Sequence, residues 1–163
     1  MRIVIFAGGS GPPLSPISRQ SSPKQFEPIV GEVSTLQLAA RRVAPVYGYK
    51  NIYVATNARY RGLIHQQLPE LPVSNIIFEP ARRDLGPAVG LAMAHLGRSN
   101  EHDPVAILWS DNFIENEAAF IELLGVAETL VSEGKAKILF IGETPRFPNE
   151  NLGWIGLGET LGE

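Results

Sequence analysis

The chain has 163 residues, 44% of them hydrophobic, and a formal charge of −3. That is enough polypeptide for one domain with a real core. The charge balance excludes nucleic-acid binding through bulk electrostatics, although a phosphate pocket needs only a few placed donors. Cysteine is absent, which removes disulfides, thiolate zinc sites and a cysteine nucleophile, and fits a cytoplasmic protein.

The first apolar run, Ile3-Val4-Ile5-Phe6, is far too short for a signal-peptide core or a membrane span, so no membrane partner is expected. It reads instead as the first of five strands. The others are Asn51–Ala55, Asn75–Glu79, Val105–Trp109 and Lys137–Ile141. Continuous apolar runs of this kind suit strands covered on both faces. Helical spacing fills the gaps between them. Ser34-Thr35-Leu36-Gln37 is a capping box, backed by Leu36, Ala39, Ala40 and Val43. A second stripe is Tyr60, Leu63, Ile64 and Leu68; a third is Leu85, Val89, Ala92, Met93 and Leu96; a fourth is Phe120, Leu124, Ala127 and Val131. Gly86-Pro87 makes a good entry to the third helix. The alternation predicts a doubly wound, mostly parallel, Rossmann-like α/β sheet with helices on both faces.

Beyond Ile141 the pattern changes. A proline-rich loop, Glu143 to Asn149, leads to Trp154-Ile155-Gly156-Leu157-Gly158, and the sequence stops at Glu163 without a closing helix. We expect residues 1–163 to be one catalytic domain that lacks its C-terminal part. Core packing is the expected role of both Trp109 and Trp154. His65, His95 and His102 show no ligand spacing and are expected to be structural or solvated.

Open α/β sheets bind ligands outside the carboxyl ends of their strands. The first such end carries Ala7-Gly8-Gly9-Ser10-Gly11, where glycines let the backbone approach a phosphate or a base. The turn is not a Walker A motif, since no Gly-Lys-Ser/Thr follows. Nor is it a dinucleotide fingerprint, because Leu14 occupies the third glycine position. A tight structural turn would look the same.

The turn is followed by Leu14-Ser15-Pro16-Ile17-Ser18-Arg19 and Pro23-Lys24-Gln25-Phe26. With these the sequence resembles the sugar-1-phosphate nucleotidyltransferase family, whose first strand leads into G-G-x-G-T-R-L-x-P-L-S-R and P-K-Q-F. Glu79-Pro80-Ala81-Arg82-Arg83-Asp84-Leu85-Gly86-Pro87-Ala88 is similar to E-P-x-x-R-N-T-A-P-A of the mannose-1-phosphate guanylyltransferases. Ser110-Asp111-Asn112 is similar to their strand end, and Gly142 to Ile155 to their G-I-x-P-T-x-P-x-T-G-Y-G-Y-I. These matches run in order from about Ile3 to Gly158.

The resemblance implies transfer of a guanylyl group from GTP to mannose 1-phosphate, giving GDP-mannose and pyrophosphate with Mg²⁺. Another sugar 1-phosphate, or a catalytically weakened nucleotide-sugar-binding module, is the alternative. Such chemistry needs an ammonium, a divalent metal and backbone donors. Lys24 is the candidate ammonium, against a solvated surface lysine. Asp111, closing a strand, is the candidate Mg²⁺ ligand and catalytic carboxylate, against a turn cap. The resemblance also implies nucleotide contacts from Ala7, Gly8, Gly9, Gly11, Gln25, Glu79, Asp84, Gly86 and Pro87, and a sugar contact from Gly153. Asp84 could accept the two N–H groups on guanine's Watson–Crick edge, or be a plain N-cap. Gly153 could equally mark a strand bulge. A homo-oligomer is compatible with the sequence.

One departure stands out. Pro12-Pro13 replace the family's Thr-Arg, and proline supplies neither a guanidinium nor a backbone N–H. Losing a preorganised donor commonly costs about 100–1,000-fold in rate. Either turnover is slow or another arginine substitutes, with Arg19 and Arg83 the nearest candidates.

Overall fold

A computed structural model describes residues 1–8, 24–28, 31–81, 83–98, 102–150 and 153–160. Among these residues four strands form one sheet: β1 (Arg2–Phe6), β2 (Ile52–Asn57), β3 (Ile76–Glu79) and β4 (Val105–Trp109), in the order β3-β2-β1-β4. Every pairing is parallel, with Ile5 opposite Val54 on one side and Leu108 on the other. The expected α/β class holds. Four of the five expected strands form within two residues of their expected bounds.

The helices are α1 (Thr35–Tyr47), α2 (Arg61–Gln67), α3 (Leu85–Gly97) and α4 (Glu117–Ser132). Pleating sends Ile3 and Ile5 to one face of the sheet and Val4 and Phe6 to the other. On the first face they pack with Leu36, Ala39, Ala40 and Val43 of α1, Ile64 of α2 and Leu124 of α4. On the second they pack with Ala88, Ala92 and Leu96 of α3. The sheet is therefore wound on both sides, as parallel sheets require.

Local chemistry explains where α1 begins. Ser34 Oγ accepts from the Gln37 N–H at 3.2 Å, and Gln37 Oε1 accepts from the Ser34 N–H at 3.0 Å, so the capping box is complete. The helix ends at Gly48, whose φ of 73° suits a residue without a Cβ. Between α1 and α4, the Arg42 guanidinium pairs with Glu117 at 3.1 Å.

Three expectations need correction. Lys137–Ile141 forms no strand. Its side chains lie exposed, Ile138 at 75% and Phe140 at 77%, and no described strand pairs with it. A β-compatible run becomes a strand only when a neighbour takes its backbone groups. The third helical stripe is rotated: Leu85 and Met93 face solvent while Ala88, Ala92 and Leu96 meet the sheet. Spacing of i, i+4, i+8 with two alanines lets α3 sit close to the strands. Neither tryptophan is buried. Trp109 lies tilted against Phe6 at 5.4 Å between centroids, and the Trp154 indole N–H donates to the Asn149 carbonyl in an exposed stretch.

Candidate active site

The carboxyl ends of β1, β2 and β3 meet around Ala7. Its N–H donates to the Ala55 carbonyl at 2.9 Å, continuing the ladder. Its carbonyl accepts from the Thr56 hydroxyl at 2.9 Å and from Gln25 Nε2 at 2.8 Å. All of Ala7's polar groups are thus engaged within the protein, and it serves as the fixed point from which the glycine turn departs. Thr56 and Gln25 are both buried, and these bonds give the Thr56 hydroxyl and the Gln25 Nε2 an acceptor.

Gly8 comes next and is exposed. A Cβ placed there would stand 3.1 Å from Glu79 Oε1 and 3.8 Å from the Thr56 Cα. The Glu79 carboxylate, from the end of β3, leans over this backbone, and a side chain at position 8 would push it aside by a few tenths of an ångström. Glu79 is half-buried, and that burial raises its carboxyl above the ordinary carboxylate range. Gly9 and Gly11 lie outside the described residues, as do Pro12, Pro13 and Arg19.

Lys24, Gln25 and Phe26 form a 3₁₀ turn against this strand end. Gln25 is 2% exposed, and its Oε1 is a buried acceptor with no protein partner among the described residues. Such an unsatisfied buried acceptor is rare in a native protein. Phe26 is buried against Tyr60, with ring centroids 5.2 Å apart. Lys24 is therefore carried by a turn whose next two side chains are locked into the protein.

The remaining expected residues are more dispersed. Asp84 precedes α3 with φ 62° and ψ −172° and makes no side-chain cap bond. It is the one non-glycine residue of positive φ among those described, in a region that side chains other than glycine rarely adopt. Gly86 and Pro87 sit in the first turn of α3, exposed. Asp111 follows the buried Ser110 at the end of β4 and is exposed. Gly153 lies in the exposed stretch beyond Ile141, with open space around it.

Among the described residues no group of three His, Cys, Asp or Glu side chains could hold a metal. A closed protein cage is thus absent from that part of the chain. Magnesium on a substrate phosphate needs only one or two carboxylates, and Asp111 is an exposed carboxylate at the end of β4.

Two cations escaped the sequence reading. The Arg59 guanidinium lies over Tyr60 at 5.0 Å and that of Arg61 over Phe78 at 4.5 Å, both just past the end of β2. Their position a few residues past an expected strand was the available signal. Of the arginines proposed to replace the missing one, Arg83 is exposed beside Asp84.

The chain resembles known proteins. The Nucleotidyl transferase family model matches residues 2–161. The chain belongs to the nucleotidyl transferase family. The xanthan biosynthesis protein XanB of Xanthomonas campestris pv. campestris is 38% identical over 161 residues, covering 98% of this chain and 34% of its own length. Mannose-1-phosphate guanylyltransferase RfbM of Salmonella typhimurium is 35% identical, over 98% of this chain and 33% of its own. This nucleotidyltransferase chain thus spans about a third of the length of these relatives. A crystal structure from Thermus thermophilus, described as a mannose-1-phosphate geranyltransferase, superposes with a TM-score of 0.72 over 82% of this chain and 38% of that one, at 24% identity. That likeness carries the fold. No helix among the described residues is long and apolar enough to cross a membrane.

Proposed function

We propose that this nucleotidyltransferase chain contributes the nucleotide half of an enzyme that transfers guanylyl from GTP to mannose 1-phosphate, releasing GDP-mannose and pyrophosphate. The observation carrying the reading is the juxtaposition at Ala7. One strand end presents a glycine backbone beneath the Glu79 carboxylate and, through Gln25, holds the turn that carries Lys24. Relatives bearing the name mannose-1-phosphate guanylyltransferase, at 33–35% identity over most of this chain, support the choice of base and sugar.

In this reading a sugar-phosphate oxygen attacks the α-phosphorus of GTP, and the bond from that phosphorus to the bridging oxygen of pyrophosphate breaks. Lys24 would stabilise charge on the phosphate oxygens in transit. Guanine offers two N–H donors on one edge, and a carboxylate is their natural acceptor. Glu79, leaning over Gly8, is the better placed of the two candidates, while Asp84 lies at the entry to α3. Asp111 would hold Mg²⁺, which neutralises phosphate charge when bound.

The test is pyrophosphate release by the naturally produced protein with mannose 1-phosphate, Mg²⁺ and each of the four nucleoside triphosphates. GTP should be preferred by at least about tenfold, the equivalent of roughly 1.4 kcal/mol. Equal rates with ATP would remove the base assignment; equal rates with glucose 1-phosphate would remove the sugar.

The Pro12-Pro13 departure favours a second reading, a binding module with little turnover. Tight GTP binding without pyrophosphate release, unchanged by Pro13→Arg, would favour that reading over slow catalysis.

A further inference from the structure

We infer that Gln67, the last residue of α2, is a positioning residue for nucleotidyl transfer, acting on Lys24 through the carbonyl of Phe26. The inference rests on the reading of Lys24 as the ammonium. Gln67 is 41 positions from Phe26 in sequence, and its Nε2 donates to the Phe26 carbonyl at 2.8 Å. Its own Oε1 accepts from the Ser34 hydroxyl at 2.6 Å, which fixes which end of the amide faces the turn. Its backbone carbonyl accepts from Gln37 Nε2 at 3.1 Å. Ser34 and Gln37 are in turn the two members of the capping box that starts α1.

These bonds form one network in which each side-chain donor has an acceptor. Networks of this kind rigidify what they hold, and breaking one member leaves others unsatisfied. What this one holds is a three-residue turn. On its other side Gln25 Nε2 grips the Ala7 carbonyl, and from α1 the Thr35 hydroxyl reaches the Gln25 carbonyl at 3.5 Å. The turn is thereby fixed from the strand end by Gln25 and from the helices by Gln67. An apolar side chain at position 67 could pack against Phe26 but could not set the direction of its carbonyl. Small errors in the placement of a catalytic group are expensive, roughly 100-fold in rate for about 1 Å. That sensitivity is the reason for a directional bond here.

Gln67→Glu keeps the length and the acceptor for Ser34 while replacing the donor opposite Phe26 by a carboxylate oxygen. The test is a double-mutant cycle with Lys24→Met on the naturally produced protein, measured by pyrophosphate release at saturating nucleotide. We expect Gln67→Glu to lower kcat by about tenfold or more and Lys24→Met by about 100-fold or more. In the Lys24→Met background, Gln67→Glu should cost less than about twofold, because its effect passes through Lys24. A tenfold loss in both backgrounds, or no loss in the native one, overturns the inference and leaves Lys24 in place. Native turnover by Lys24→Met would instead remove the reading of Lys24, and this inference with it. Should Gln67→Glu not yield folded protein, the uncharged Gln67→Met takes its place in the cycle, with the same results supporting or overturning the inference.

Discussion

Strand β1 buries every side chain it carries, whereas β4, hydrogen-bonded to it along its whole length, leaves Ile107 at 38% and Trp109 at 37% exposed. The difference follows from what lies above each strand. On the face covered by α3, Ala88, Ala92 and Leu96 meet Val4, Phe6, Ala55 and Ile77, and Ile107 and Trp109 fall outside that cover. The stretch beyond α4 repeats the pattern, with Phe140 at 77% and Leu157 at 95% exposed. The residues that gather around Ala7 belong to the covered half; Asp111 and Gly153 belong to the bare one. A covered half that holds Ala7 and the Lys24 turn is joined to a half whose apolar surface is uncovered among the described residues.

The contrast is open to attack through packing first. Ile5→Ala, at a fully buried central position, should cost about 2–5 kcal/mol in urea unfolding. Ile107→Ala, one strand away, should cost about 1 kcal/mol or less. Comparable costs would mean that the bare face of β4 is covered in the working protein.

A smaller effect is expected at the rim of the covered half. Asp84 holds a backbone conformation that costs a non-glycine residue about 1–3 kcal/mol, partly offset in glycine by the greater entropy of its unfolded chain. Asp84→Gly should therefore raise stability by about 1 kcal/mol. Lower stability in the variant would assign the Asp84 side chain a structural contact worth more than the strain.

The smallest effect tests the burial of Glu79. Because its carboxyl is raised by desolvation, the folded chain binds that proton more tightly than the unfolded chain. The associated stability is fully present below the ordinary carboxylate value and is lost as pH rises through the raised one. Glu79→Gln carries no charge at any pH. Its melting temperature should match the native protein's in acid and exceed it by about one or two degrees at neutral pH. A lower melt at neutral pH would show that the ionised carboxylate is stabilised where it stands.

Much of the covered half is legible in the sequence, because its signals are local. Ile3 to Phe6 is a run that suits a strand covered on both faces. Ser34 with Gln37 announces a helix start within four residues. Pro23 to Phe26 marks the Lys24 turn, though not what holds it. Gln67 and Thr56 give no such sign, because their roles depend on partners 41 and 49 positions away, and a glutamine or threonine has no spacing that reveals such a bond. Lys137–Ile141 misleads for the opposite reason. Its composition is right for a strand, but strand formation is a property of a pair. Resemblance alone assigns Glu79 to the nucleotide; its approach to Gly8 appears only when β3 and β1 are brought into register through β2.

The place of β1 between two parallel neighbours has one more consequence. Edge strands can fray while the middle of a ladder opens only when the whole domain does. Ala7 and Gly8 follow directly on that interior strand, so fraying confined to the edge strands β3 or β4 would leave them in place. Gly8 and the Ala7 carbonyl that holds Gln25 are thus attached to a strand inside the sheet rather than at its edge.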